Sequence, residues 1–215
     1  MQFSLLDFFF PKRSLTGREG EWVMCFERER IVPCLTVELA AFLRTQGIHH
    51  VDSIVSAVPY AGAKLLQRAI RMFKYSRVRA VEGELVRLLA FVAAARRDVC
   101  GAAVLCPVPL HWTRNLERGF NQARVLADGI GTVAKMPVAD LLRRTRSTGH
   151  QAHRRRTERM LAMRGAFRVR SGAKVPARVV LIDDIATTGA TLDACAKALK
   201  DAGVRYVEAW VVARG

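Results

Sequence analysis

Hydrophobic and polar positions alternate with two different periods along the chain from Val51 onward. Short, nearly continuous apolar runs predict buried strands, and longer segments with apolar residues three and four positions apart predict helices. The predicted strands lie at 51–60, 101–110, 177–183 and 204–215, and the predicted helices at 62–75, 83–97, 121–134 and 190–203. Apolar strands that alternate with helices are typical of a parallel sheet covered on both faces. We therefore predict an α/β fold with a mainly parallel sheet flanked by helices.

Two segments depart from this alternation. Residues 1–50 fit it poorly, and we predict that they form a small N-terminal element that precedes a domain at 51–215. Residues 143–175 are mostly polar and strongly basic, and we predict that they form a loop or excursion from that domain. The chain is long enough for one such domain with a sizeable core and a small appendage.

The charge of the chain is strongly positive. It carries 35 lysines and arginines against 19 aspartates and glutamates, a formal net charge of +16. Such an excess is compatible with phosphate-rich ligands, nucleic acid or an anionic membrane surface as partners. Ten arginines lie within 143–170, where Glu158 is the one acidic residue. This segment is interpreted either as a solvated face or as a loop that closes on diphosphate or binds a nucleic-acid backbone.

Three features bear on cellular location. No segment approaches the roughly 18 uninterrupted apolar residues of a membrane span. The apolar stretch near the start is short, and Lys12 and Arg13 follow it, the reverse of the order in a signal peptide. The five cysteines are odd in number and lack the spacing of a disulfide framework. We predict a cytoplasmic protein with reduced thiols and no membrane span.

One stretch, VVLIDDIATTGATLDAC at 179–195, combines acidic and small polar residues. Asp183 and Asp184 lie at the end of a predicted strand, at the edge of a parallel sheet where ligands bind. The threonine- and glycine-containing loop that follows leads into a helix, and backbone N–H groups, hydroxyls and the helix dipole together bind phosphate. Carboxylates repel phosphate but accept hydrogen bonds from sugar hydroxyls. The pattern therefore predicts a site for a 5-phosphorylated ribose.

This stretch resembles the phosphoribosyl-pyrophosphate signature of type I phosphoribosyltransferases. A second stretch, CPVPLHWTRNLERGFNQARVLA at 106–127, is similar to the hallmark of the ComF family of competence-associated, phosphoribosyltransferase-like proteins. YAG at 60–62 and FKY at 73–75 also match the family pattern, as do Gln151, Arg159 and Phe167. The resemblance covers about three quarters of the chain, from Val51 to Gly215.

The resemblance implies a set of site residues around phosphoribosyl pyrophosphate, which would bind together with Mg²⁺. The catalytic candidates are Asp183 and Asp184, which would hold the ribose 2- and 3-hydroxyls, and Arg118. The 5-phosphate would bind to Ala186, Thr187, Thr188, Gly189, Ala190 and Thr191. The diphosphate would bind to the turn formed by Pro107, Val108, Pro109 and Leu110, and to Arg114. The candidate contacts of the acceptor or of a covering loop are Lys74, Tyr75, Asn121, Gln122, Gln151 and Arg159. Asn121 is equally suited to be the N-cap of the helix that follows it.

The N-terminal region departs from the family. Its members usually carry paired Cys-x-x-Cys knuckles that bind zinc, but the expected positions here hold Ser14 and Gly17, then Cys25 and Arg28. With one thiolate of four present, we do not expect a zinc site.

Two functions stay open at this point. The first is a phosphoribosyltransferase-type enzyme that transfers ribosyl phosphate to an unidentified acceptor. The second is a non-catalytic protein that uses the same fold to bind single-stranded DNA during uptake, in agreement with the net charge. The resemblance also implies other competence proteins as partners.

Overall fold

The structure is a computed structural model, which describes residues 13–19, 21–75, 81–110, 119–146, 162–163 and 165–215, with the backbone alone for Tyr75. Its helices are α1 (Cys25–Arg30), α2 (Ala40–Thr45), α3 (Lys64–Tyr75), α4 (Glu82–Ala95), α5 (Arg97–Cys100), α6 (Gln122–Ala134) and α7 (Ala190–Asp201). Its strands are β1 (Thr36–Leu39), β2 (Ser53–Pro59), β3 (Val104–Pro107), β4 (Leu142–Arg144), β5 (Phe167–Val169), β6 (Arg178–Ala186) and β7 (Tyr206–Arg214).

Within the described ranges, five strands form the main sheet, in the order β1-β2-β7-β6-β3. The last four are parallel to one another, and β1 pairs antiparallel with β2 at the edge. The predicted α/β fold with a mainly parallel sheet flanked by helices is confirmed. Because the parallel strands run in one direction, Pro59, Arg214, Ala186 and Pro107 end them at a common edge.

Apolar side chains cover both faces of the sheet. On one face, Val180 and Ile182 of β6 pack with residues of α3, α4 and α6. On the other, Val179 and Leu181 pack with α2, α7 and the β4–β5 pair. Successive side chains of a strand point to opposite faces, so the continuous apolar run of β6 serves two cores at once.

The region before residue 51 contributes to the main sheet. β1 lies within the predicted N-terminal element, yet its four residues pair with β2 from Thr36↔Ser56 to Leu39↔Ser53. The division of the chain at residue 50 stays a prediction. Further upstream, the Glu27 carboxylate is fully buried and accepts hydrogen bonds from the backbone N–H groups of Leu15, Thr16 and Met24. This carboxylate fastens the turn at residues 14–17 to α1.

The basic excursion contains regular structure. β4 and β5 pair antiparallel in a small second sheet, with Arg143 opposite Arg168 and Arg144 opposite Phe167. Leu142 and Phe167 are buried, while Arg143 and Arg168 are exposed. Sequence patterning missed these strands, because each has three residues and too few positions to establish a period.

A buried carboxylate ties helices and strands together at the sheet end opposite to the common edge. Glu208 of β7 accepts hydrogen bonds from Ser53 at 2.5 Å, Tyr206 at 2.8 Å, Trp210 at 2.6 Å and the Arg96 guanidinium at 2.9 Å. Burial opposes ionisation of Glu208, but these donors outweigh it and lower its pKa. The arrangement joins β2, β7 and the end of α4.

All five cysteines lie in the part of the chain that the structure describes, and each has a free thiol. Among the described helices, none has the length and apolarity needed to cross a bilayer.

Candidate functional site

The acidic pair straddles the end of β6. Asp184 continues the side of the strand that carries Val180 and Ile182, and Asp183 continues the opposite side. Asp184 is 3% exposed and Asp183 is half-buried. Both carboxylates nevertheless line one cleft, which encloses about 140 Å³ at the common strand edge. The cleft therefore wraps around the end of the strand.

Lys74, near the end of α3, neutralises the charge of Asp184. The Lys74 ammonium lies 2.8 Å from Asp184 Oδ2, and both side chains are largely buried. Burial, and next the charge of Asp184, raise the pKa of Asp183 to about 7, against the opposing effect of Lys74. The Asp183 carboxyl also accepts a hydrogen bond from the Asp184 backbone N–H at 2.9 Å. Around neutral pH, the Asp183 carboxyl is therefore only partly ionised.

The loop after the acidic pair turns sharply into α7. Gly189 is the N-cap residue, with φ of 73°, and the Thr188 hydroxyl accepts a hydrogen bond from the Ala190 backbone N–H at 3.4 Å. A Cβ at this position would collide with Cδ1 of Ile48. A helix start leaves its first N–H groups without intrahelical partners. With Thr187 and Thr188 before it and Thr191 in its first turn, this helix start has the features of a phosphate site.

Arg214 holds the loop from behind. Its guanidinium donates to the carbonyls of Ala186 and Thr187 and forms an ion pair with Glu38 at 2.9 Å. The Gly215 N–H donates to the Ala186 carbonyl as well. With its carbonyls engaged on that side, the loop is fixed in orientation. Sequence reasoning did not single out Arg214, because its role depends on contacts with residues far away in the chain.

The proposed diphosphate turn offers few backbone donors. Pro107 and Pro109 have no N–H, and the Val108 N–H donates to the Ile182 carbonyl at 3.0 Å. Of the segment 107–110, Leu110 alone has an N–H outside these constraints. Val108, Pro109 and Leu110 do line the cleft. An anion bound there would need cationic side chains from other elements.

Two polar residues at the start of α6 line the same cleft. Asn121 is the N-cap of α6, since its side-chain oxygen accepts from the Ala123 N–H and its amide donates to the Val108 carbonyl, both at 3.1 Å. Asn121 thus fastens the diphosphate turn to α6. Gln122 lies beside it with a side chain that is 2% exposed.

Arg144 and Met163 also line the cleft, although sequence reasoning had not named either as a site residue. The Arg144 guanidinium lies over the Phe167 ring, 5.4 Å from its centroid, and contacts the Met163 sulfur at 3.9 Å. Arg144 lies within the arginine-rich segment, and that composition was the available signal. The β4–β5 pair brings it to the cleft.

The remaining predicted site residues fall outside the described part of the chain. They are Arg114, Arg118, Gln151, Arg159 and the side chain of Tyr75.

The sheet, its common edge and the strand–loop–helix unit at that edge define an α/β protein of the type I phosphoribosyltransferase-like fold. Comparison with known proteins adds the family. Competence protein F of Haemophilus influenzae is 31% identical over 151 residues, which are 67% of this chain and 66% of that relative. Competence protein ComFC of Bacillus subtilis is 36% identical over 100 residues, 46% of this chain and 39% of the relative. DNA utilization protein YhgH of Escherichia coli strain K12 is 28% identical over 168 residues, 75% of this chain and 71% of the relative.

The chain belongs to the ComF family. No family model matches it. The alignments span about two thirds or less of the lengths of the two competence proteins.

Proposed function

We propose that the protein binds phosphoribosyl pyrophosphate together with Mg²⁺ at the cleft on the common strand edge. The observation that carries this proposal is the position of two carboxylates on opposite sides of β6 near its end, followed by a short loop that leads into α7 at Gly189. A ribose 5-phosphate has a diol and a phosphate at opposite ends, and this juxtaposition matches it. The phosphate takes the helix start and the diol takes the carboxylates.

The diphosphate occupies the other side of the cleft, next to Val108–Leu110. Since the backbone there offers few donors, side-chain cations neutralise the diphosphate, and Arg144 and Lys74 line the cleft for this purpose. Arg114 and Arg118, predicted for the same task, lie outside the described residues. Mg²⁺ prefers oxygen ligands and, when it is bound together with phosphoribosyl pyrophosphate, supplies further neutralisation of the diphosphate charge.

We further propose that the protein transfers the ribosyl phosphate of the bound ligand to an acceptor. The bond from ribose C1 to the diphosphate oxygen breaks with its electron pair leaving on the diphosphate, and an acceptor nucleophile forms the new bond to C1 and releases its proton to water. The protein holds the diol and the 5-phosphate in place, while cations stabilise the charge that develops on the leaving diphosphate.

Isothermal titration with phosphoribosyl pyrophosphate and Mg²⁺ tests the binding proposal. We expect the wild type to bind and Asp183→Asn/Asp184→Asn to lose affinity by about 100-fold, since each lost hydrogen bond to a charged group is worth roughly tenfold or more. Asp128→Asn/Asp201→Asn makes the same two substitutions on exposed helix surfaces and is the matched control. A folded wild type that does not bind the ligand would refute the proposal.

A second candidate function is the binding of single-stranded DNA during uptake; the relatives are named competence proteins and a DNA utilization protein. Arg143 and Arg168 face each other across β4 and β5, and neither forms an ion pair with another described residue. Like charges opposite each other destabilise a sheet, whereas a polyanion on this face would relieve the repulsion. Arg146 and Arg170 extend the exposed basic surface.

Fluorescence anisotropy with a labelled oligonucleotide across a range of salt concentrations tests this candidate. Arg143→Gln/Arg168→Gln should reduce the slope of log affinity against log salt by up to about 1.4, or roughly 0.7 for each phosphate contact that is lost. Arg178→Gln/Arg205→Gln removes two exposed charges at the opposite end of the sheet. Equal slopes for the two double variants would contradict DNA binding at β4–β5.

A further inference from the structure

Lys74 differs from the exposed lysines of the chain. Its side chain is 19% exposed, and its ammonium lies 2.8 Å from a carboxylate that is 5% exposed. It is held there by the end of α3, because the neighbouring Phe73 is fully buried and packs edge-to-face on Phe120 with ring centroids 5.6 Å apart. Lys74 is therefore positioned by the fold and is not a freely solvated charge.

The ion pair has a clear role in the protein without ligand. Asp183 and Asp184 are adjacent in a partly desolvated cleft, where an uncompensated charge is costly. The Lys74 ammonium compensates Asp184 and so stabilises the acidic pair. Lys74 contacts Oδ2 of Asp184, and a ribose hydroxyl that binds this oxygen competes with the ammonium.

A diphosphate bound next to Val108–Leu110 would be a new partner for the Lys74 ammonium. Lys74 and Val108–Leu110 line the same cleft, and the diphosphate assigned to that turn finds few backbone N–H groups there, because two of its residues are prolines and the Val108 N–H is engaged by Ile182. A lysine ammonium has three N–H donors on a flexible four-carbon stem, so it can donate in several directions. A site for a substrate with both a diol and a diphosphate can therefore use one lysine in two states.

We propose that Lys74 is an exchangeable counter-ion, which leaves Asp184 when the ribose hydroxyls bind and donates instead to the diphosphate. This role rests on the proposed function. It makes Lys74 a residue that selects for the diphosphate, because the cost of breaking its ion pair with Asp184 is recovered when a diphosphate is present. A ligand with the diol and the 5-phosphate alone must break the ion pair and offers no diphosphate to which Lys74 can donate instead.

Titration with two probes tests the exchange. Ribose 5-phosphate and phosphoribosyl pyrophosphate, each with Mg²⁺, are titrated into the wild type, Lys74→Gln and Lys74→Arg. For Lys74→Gln we expect a loss of about 10- to 100-fold for phosphoribosyl pyrophosphate, the value of one charge-assisted hydrogen bond. The affinity for ribose 5-phosphate should stay the same or increase. Lys74→Arg keeps the positive charge and should retain most of the preference.

Lys64→Gln is the matched control, since Lys64 is exposed at the start of the same helix. Lys74→Gln/Asp184→Asn removes both members of the ion pair and replaces Lys74→Gln in the titrations if that variant does not fold. The double variant should also lose the preference for the diphosphate. Equal losses for the two probes in Lys74→Gln would overturn the exchange while leaving the proposed function intact. A wild type that binds neither probe would overturn both.

Discussion

At the scale of single residues, Asp183 shows how position sets the chemistry of a side chain. The carboxyl is half-buried at a strand end and lies beside a second carboxylate, so it is harder to ionise than an exposed aspartate, and its pKa is about 7. A ligand that donates hydrogen bonds to its charged form would lower this value. Binding of a diol around neutral pH should therefore release a proton.

The stability of the protein should depend on Asp183 in a pH-dependent way. The folded-state pKa of about 7 lies above the ordinary value of 3.8. The contribution of Asp183 to the free energy of unfolding is therefore fully present below the pKa of the unfolded state. It is lost as the pH rises through the pKa of the folded state. Asp183→Asn should raise the Tm relative to the wild type at about pH 8, and the difference should shrink at about pH 5.

Thermal unfolding at several pH values measures this effect. Asp201→Asn, in an exposed pair with Lys197, is the control and should change the Tm little at any pH. A difference between wild type and Asp183→Asn that does not vary with pH would contradict the raised pKa.

At the scale of helices and strands, the Glu208 carboxylate connects β2, β7 and the end of α4 through its hydrogen bonds. Replacement by glutamine, Glu208→Gln, leaves the Arg96 guanidinium without its charged partner and disturbs the bonds from Ser53 and Trp210. We expect a loss of about 3–5 kcal/mol in the free energy of unfolding, as for other broken buried ion pairs. Because the pKa of Glu208 is lowered, its contribution is present above the unfolded value of 4.5 and is lost as the pH falls through the folded value.

Urea denaturation at neutral and acidic pH checks this expectation. The destabilisation should be smaller in acid. Glu29→Gln, on the exposed side of α1, should have nearly wild-type stability. If Glu208→Gln lowers the free energy of unfolding by less than about 1 kcal/mol, as is usual for exposed ion pairs, Glu208 does not stabilise the connection between these elements.

The start of α7 gives a second prediction at this scale. Gly189→Ala introduces a Cβ both in the left-handed region, at φ of 73°, and against Ile48. Gly203→Ala, just beyond the other end of α7, has φ of 102° but open space around the added Cβ. Both variants carry backbone strain of about 1–2 kcal/mol, and Gly189→Ala should lose roughly 1–3 kcal/mol more through overpacking. Chemical denaturation of the two variants separates these costs, and equal stabilities would contradict the tight packing of the loop on Ile48.

At the scale of the whole molecule, local periodicity was sufficient for most of the fold. The helices and parallel strands after residue 51 follow the apolar pattern because each buries a face defined by its own sequence. β1 was missed, since its four residues gain their place only by pairing with β2. Within the site, the strand-end position of Asp183 and Asp184 was predictable. The contact of Lys74 with Asp184, and the use of the Val108 N–H by Ile182, depend on which elements become neighbours.

The edge of the sheet and the net charge together predict how the molecules associate. Val37, Leu39 and Phe42 are more than half exposed at the β1 edge, and an open apolar edge invites pairing with another chain. The charge of +16 keeps molecules apart, but salt screens it. We expect light scattering of the wild type to rise with salt and Leu39→Lys to suppress the rise, whereas Val133→Lys, at an exposed valine on α6, should not. Equal behaviour of the two lysine variants would exclude the β1 edge as the surface responsible.

The two aspartates lie on opposite sides of β6, and this affects which parts of the molecule respond when a ligand binds. Asp184 contacts the end of α3 on one face, while Asp183 lies on the α7 face. A diol bridging the two carboxylates would link layers whose apolar cores are separate clusters on opposite sides of the sheet. When the sugar is bound, amide hydrogen exchange should therefore slow both in the last turn of α3 and in the first turn of α7. A single sugar would in this way connect the two layers on opposite faces of the sheet.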